Sequence, residues 1–252
     1  MDCRSSAGCL QLMDFKEAAA LLSCMEDETA ALAIDDIKSD QAAKIFEKMV
    51  PTAAAQKMGA TNPRVAALAA DLMLPHITAK VQECMEPAQC AALFELMVNT
   101  AAAKCIENID LKVAARVLER MDPKIASGMI GNMDWNRAAN TLVAMTPEAA
   151  AECVEKMDHA AAAHILEQIE INQASAIIQL MPAAAAARVV EKVEPFINAK
   201  LVSITPPETT SKVLSVMNSS ALANCFAMLG AEKTAANLEL LSPQVRAPGA
   251  HL

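Results

Sequence analysis

The chain has 252 residues, a formal net charge of −9, 54% hydrophobic residues and only 2% aromatics. An acidic balance without a polybasic run argues against nucleic acid and against an anionic membrane surface as partners. No apolar stretch reaches the roughly eighteen residues of a membrane-spanning helix, and Met1-Asp2-Cys3-Arg4 lacks the basic-then-apolar order of a secretory signal. The expectation is a soluble cytoplasmic protein without membrane insertion. Abundant Ala, Met, Leu, Glu and Lys, with 6 Gly and no Tyr, favour helices over strands.

Along the chain, one pattern recurs every twelve residues. From Met13 the anchor positions run Met13, Met25, Ile37, Met49, Thr61, Met73, Met85, Met97, Ile109, Met121 and onward through Met181 to Leu241; only Thr61 and Thr205 are not large and aliphatic. Six residues after each anchor stands Ala or Ser, without exception from Ala19 to Ala235. Nine residues after it the side chain is mostly large again, as in Leu22, Ile34, Phe46, Ile106, Leu118 and Leu142. With the anchor as position zero, apolar residues fall at five, six, eight, nine and twelve. Positions five, nine and twelve have the i, i+4, i+7 spacing of one helical face. Adding six and eight widens that face enough for a helix flanked by neighbours. The small residue at six lets an adjacent helix approach closely.

Helix starts are written in the same register. A cap-capable residue follows many anchors, and Pro follows it: Asn62-Pro63, Asp122-Pro123, Thr146-Pro147, Ser242-Pro243. Such a residue caps free first-turn amides, and Pro fits the first helical position while stopping the preceding helix. Each unit therefore predicts one helix of about eight to ten residues plus a tight turn, marginal alone and stable when stacked. The predicted fold is all-α, a solenoid of about twenty short helices spanning residues 1–241 as one domain, with a flexible tail at 242–252. The pattern weakens at Gly59, at Gly128 and Gly131, and around Pro195–Pro207, where bends or partner contacts are expected.

The chemistry-bearing residues are sparse. Eight cysteines form no CxxC, and Cys9, Cys105, Cys153 and Cys225 share position eight, which reads as reduced thiols used as small apolar side chains. Position seven is often basic and position ten acidic, as in Lys44/Glu47, Lys80/Glu83 and Arg188/Glu191, read as i, i+3 pairs on a solvated face. Four scattered histidines and the lack of phosphate-loop, HExxH or GxSxG motifs predict no enzyme, no cofactor and no metal site. Trp135 takes the place of Pro at a helix start, with Arg137 beside it. It reads equally as an interface anchor or as a cover for the gap beside Gly128 and Gly131. Phe196, next to Pro195, is a weaker partner-binding candidate.

The units around Met121-Asp122-Pro123 and Met145-Thr146-Pro147-Glu148-Ala149-Ala150-Ala151-Glu152-Cys153-Val154-Glu155-Lys156-Met157 resemble the helical repeats of the cytosolic N-terminal domain of MgtE magnesium transporters. A similar arrangement occurs in the flagellar motor switch protein FliG. The resemblance runs from Met13 to about Leu241 and implies a right-handed superhelix. It also implies a role for acidic residues in sensing Mg²⁺. Acidic pairs span unit junctions here (Glu83/Glu86, Glu107/Asp110, Glu119/Asp122, Glu155/Asp158, Glu167/Glu170 and Glu191/Glu194). They offer weak divalent-cation binding, or else helix capping by the second member, which is the favoured reading. The functional expectation is a non-enzymatic protein–protein scaffold in a large intracellular assembly, with a cytoskeletal or ciliary one suggested by the resemblance. The alternative is a Mg²⁺-responsive regulatory module.

Overall fold

A computed structural model describes residues 3–241; the tail expected from residue 242 and His251 lie outside the described residues. By their contacts, residues group into two compact units, Met1–Met133 and Asp134–Leu252. The described residues hold twenty helices of 8 to 11 residues, and no strand.

The first unit contains α1 (Cys3–Leu12), α2 (Phe15–Cys24), α3 (Asp27–Asp35), α4 (Ser39–Phe46), α5 (Pro51–Ala60), α6 (Pro63–Leu72), α7 (Pro75–Gln82), α8 (Pro87–Leu96), α9 (Asn99–Asn108), α10 (Leu111–Leu118) and α11 (Pro123–Ile130). The second contains α12 (Trp135–Ala144), α13 (Pro147–Lys156), α14 (His159–Gln168), α15 (Ile171–Leu180), α16 (Ala183–Val190), α17 (Pro195–Ile204), α18 (Pro207–Val216), α19 (Ser219–Leu229) and α20 (Ala231–Leu240). Each unit is a solenoid built by one rule: a helix packs mainly on its second neighbour in the chain. Thus α3 lies on α5, α5 on α7 and α7 on α9, while α4 lies on α6 and α6 on α8. In the second unit α13 lies on α15, α15 on α17 and α17 on α19. Odd and even helices therefore form two layers, and the close neighbour of each helix is two repeats away.

The junction between helices explains the scarcity of glycine. The anchor residue and the cap residue after it are both extended, as in Met145 (φ −78°, ψ 165°) and Thr146 (φ −62°, ψ 143°). Two extended residues reverse the chain without any left-handed conformation. Among the described residues only Gly230, between α19 and α20, has a positive φ, at 80°, a value that a side chain would strain.

Burial follows the repeat. Position six is buried from Ala19 to Ala199, and position five is as strict: Ala18, Ala30, Ala54, Ala102, Ala114, Ala126, Ala138 and Ala150 are wholly enclosed. Two adjacent small residues, not one, form the seam between stacked helices. Position nine supplies the bulk, with Phe46, Phe94, Ile106, Leu118, Ile130 and Leu142 fully buried; each such side chain contributes about 1.5–3 kcal/mol. At the end of the stack the seam opens: Ser211 is half-buried, and Ala223 and Ala235 are exposed. The two threonines in the anchor column stay buried because each hydroxyl donates to the carbonyl four residues back, Thr61 to Lys57 and Thr205 to Leu201, both at 2.7 Å.

Candidate functional site

The second-neighbour packing brings chain turns side by side, and acidic residues tie them together. Many helices begin at a capping carboxylate or amide. Asp110 accepts from Lys112 N–H (3.0 Å) and Val113 N–H (3.3 Å), Asp158 from Ala160 and Ala161, and Glu194 from Phe196 and Ile197. Position ten performs a second task. The backbone N–H of the cap residue three repeats on donates to it: Asn62 to Asp35 (3.0 Å), Leu74 to Glu47 (2.8 Å), Val98 to Asp71 (3.1 Å), Asp110 to Glu83 (2.7 Å) and Asp122 to Glu95 (2.9 Å). In the second unit Glu194 donates to Glu167 (2.8 Å) and Asn218 to Glu191 (2.6 Å). Every one of these bonds spans 27 residues and satisfies an amide that the helix start leaves without an internal partner.

This corrects the expected i, i+3 pairing of position ten, on a face that is solvated as expected. Glu47, Glu83 and Glu191 turn to the backbone of the next turn in their layer. Their basic neighbours look elsewhere, Lys44 over the Phe15 ring at 5.3 Å and Arg188 to the Ala184 carbonyl at 3.2 Å. The reason is geometric: a carboxylate at a helix end sits beside a bare N–H, and that charge-assisted bond is the stronger interaction. Capping is borne out at Asp110, Asp122, Asp158 and Glu194, while Glu86 and Glu170 make no side-chain cap bond. The tie fails where chemistry forbids it. Glu155 faces the cap position held by Pro182, which has no N–H, and pairs with Lys156 at 2.8 Å instead.

Trp135 opens α12 and is 42% exposed; its ring lies 5.9 Å from that of His164, inclined by 42°. The space beside Gly128 is taken by Asn99, whose amide nitrogen would lie 3.3 Å from an added Cβ. Arg137, half-buried, follows one helical position after Asn136, and its amide is capped by Asp134 at 3.2 Å. Phe196 is 55% exposed, with the Lys200 ammonium 4.1 Å from the centre of its ring. α12 packs on α14, whereas α17 packs on α15 and α19. The structure does not gather Trp135, Arg137 and Phe196 into one patch.

Besides the small hydroxyl residues, three larger polar side chains enter the core among the described residues. Lys57 occupies apolar position eight in α5 and is only 3% exposed; its ammonium donates to the Met25 carbonyl and to Asp27. In α7, Gln82 stands at position nine, wholly buried, reaching the Met97 sulfur at 3.7 Å. In α17, buried Asn198 donates to the Val190 carbonyl at 3.1 Å and borders a cleft of about 220 Å³ shared with Glu191, Asn218, Ser220 and Asn224. Cys90, Cys105, Cys153 and Cys225 are buried free thiols, while Cys9, Cys24 and Cys84 are exposed. Burial pushes Cys90, Cys105 and Cys153 up to about 12 and Cys225 to about 11, so they act as small apolar groups. Burial also raises Asp71 above 3.8, opposed by its bond from Val98 N–H. Among the described residues, no group of three or more His, Cys, Asp or Glu side chains is placed to hold a metal ion.

One feature was not singled out from the sequence. The bonds from Leu74 to Glu47 and from Val98 to Asp71 show that the α4–α5, α6–α7 and α8–α9 turns lie along one edge of the first unit. At these three turns the cap residues are Val50, Leu74 and Val98, none of which can make a side-chain cap bond, and they are 66%, 51% and 59% exposed; at the next turn of the edge Asp122 restores the cap. Leu72 and Leu96 stand exposed beside them. The signal was present in position one, where a polar residue is the norm; it was hidden because the apolar cap residues fall in alternate units.

A chain whose side chains are committed to stacking helices and tying turn to turn is a helical-repeat protein. A family model described as the MgtE intracellular N domain matches it twice, over residues 85–170 and 157–249. These matches take in more than half of the chain, and the protein belongs to that family. No curated protein and no solved structure matches it. No helix among the described residues is long and apolar enough to cross a membrane.

Proposed function

We propose that this protein is a non-enzymatic, cytoplasmic interaction module that docks other proteins within a larger intracellular assembly. The observation that carries this reading is the exposed apolar edge of the first unit, where cap positions are given to Val and Leu. Solenoids present long repeated surfaces of this kind, and residues that break a local stability rule are where function is sought. A cytoskeletal or ciliary assembly is the finer form of the proposal. Size fractionation of a native extract tests it: the protein should run with a large particle and sediment with a cytoskeletal or ciliary fraction. Recovery of all the protein as a free monomer would sink the reading.

A second reading, a module that responds to divalent cations, is favoured by the family alone. Each position-ten carboxylate that accepts an N–H retains a further lone pair for an ion, but is already engaged with backbone. Titration with Mg²⁺ to millimolar concentration, followed by melting temperature, separates the two; an unchanged transition removes the cation reading.

A further inference from the structure

The edge that carries Val50, Leu72, Leu74, Leu96 and Val98 has a second property, its charge. At the α2–α3, α4–α5, α6–α7 and α8–α9 turns, residues from position ten to position three include Glu26, Asp27, Glu28, Glu47, Asp71 and Glu95, against Lys48 and His76. Asp27 is engaged by Lys57, and Glu47, Asp71 and Glu95 are held in place by backbone N–H donors from the next turn. The result is an apolar ridge lined by fixed carboxylates. The opposite edge of the same unit carries carboxylates too, Asp35, Asp36, Glu83 and Asp110 among them, but lacks the apolar ridge. At the α3–α4, α5–α6, α7–α8 and α9–α10 turns the cap residues are Lys38, Asn62, Glu86 and Asp110, and no large apolar side chain is exposed there. At the α1–α2 turn, on the same edge, Leu12 is exposed. Most of the ridge precedes residue 85, where the family match begins.

We propose that this ridge docks a basic amphipathic segment of a partner protein, whose apolar face covers Val50, Leu72, Leu74, Leu96 and Val98 and whose Lys or Arg side chains meet Glu47, Asp71 and Glu95. The proposal rests on the interaction reading above. Charge complementarity selects this occupant. A second copy of the chain would set one acidic rim against another, and an anionic lipid surface would be repelled by the same carboxylates. An apolar segment anchored by leucine-type side chains and flanked by cations satisfies both parts of the ridge.

The test uses the full chain and a fluorescent synthetic helical peptide with leucine on one face and lysine on the other, beside a leucine–glutamate counterpart. The wild type should bind the lysine peptide and not the glutamate one. The variant Val50→Ser/Leu74→Ser/Val98→Ser should bind about tenfold more weakly or worse. It should also melt higher, by roughly 2–4 °C per site, because Ser restores a helix cap. Opposite movement of affinity and stability is an outcome that loss of folding cannot mimic. Equal binding by variant and wild type, or equal binding of the two peptides, overturns the proposal. So does a concentration-dependent dimer in sedimentation that the variant abolishes, since a second copy would then cover the ridge. Native fractionation of tagged wild type and variant separates this claim from its parent: a large complex retained by both leaves the interaction reading standing and removes the ridge from it, whereas a complex with neither removes both.

Discussion

The two edges of the first unit are made by the same repeat, yet they face solvent differently. At the α5–α6 and α9–α10 turns, Asn62 and Asp110 cap the next helix with their own side chains. At the α4–α5, α6–α7 and α8–α9 turns, Val50, Leu74 and Val98 occupy the equivalent place without a cap bond. An N-cap side chain is worth about 1 kcal/mol, so the apolar edge forgoes roughly that at each of these three turns. Both edges keep the 27-residue tie to the backbone, Glu83 to Asp110 on one and Glu47 to Leu74 on the other. What differs is therefore the surface and not the scaffold, and the solenoid can vary one without the other.

The largest effect should come from the seam that both edges share. Ala115→Leu in α10 overpacks two stacked helices and should destabilise by about 1–3 kcal/mol. Ala223→Leu, at the same repeat position but exposed in α19, should change stability by less than about 0.5 kcal/mol. Equal losses in chemical denaturation would show that position six is not a packing column.

Next in size is the buried lysine. Asp27→Ala leaves the Lys57 ammonium enclosed with only the Met25 carbonyl, and should cost about 1–3 kcal/mol. Lys57→Met restores an apolar residue to position eight and should cost clearly less. A reversed order in the melting curves would mean that the pair contributes net stability beyond removing a stranded charge.

Smaller again is the turn-to-turn tie. Glu83→Ala removes the acceptor of the Asp110 N–H and should lower stability by about 1 kcal/mol. Glu155→Ala, opposite Pro182, has no such donor to strand and should stay within about 0.5 kcal/mol. Hydrogen exchange at Asp110 gives a direct readout, since its amide should exchange faster in the first variant. The smallest change is a gain: Leu74→Ser alone should stabilise by about 0.5–1 kcal/mol through a restored cap. A loss instead would mean that the exposed leucine packs usefully, and the contrast between the edges would then be structural.

Much of this was open to reading in advance. Pro63, Pro123 and Pro147 mark helix starts where the structure has them, and the anchor column from Met49 to Met181 marks the junctions. These are local effects, set by backbone sterics and a side-chain period within one repeat. The task of position ten was not legible, because Glu47 and its partner Leu74 are 27 residues apart and nothing in either residue announces the other. Lys57 is the charged residue in an otherwise largely apolar column, but its partner Asp27 lies 30 residues away and only packing brings them together. The apolar edge was hidden by the same alternation: its members recur every 24 residues, two repeats, and only packing says which turns are neighbours.

A stack of short helices with a small-residue seam and a bulky interior can be read from residue spacing alone. That follows because spacing within a helix decides which side chains share a face. That each helix rests on its second neighbour emerges only when the helices pack. That choice depends on how two extended junction residues redirect the chain, and it turns a twelve-residue pattern into two unlike edges. Both carry carboxylates, but one has polar cap residues and the other exposes a run of Val and Leu.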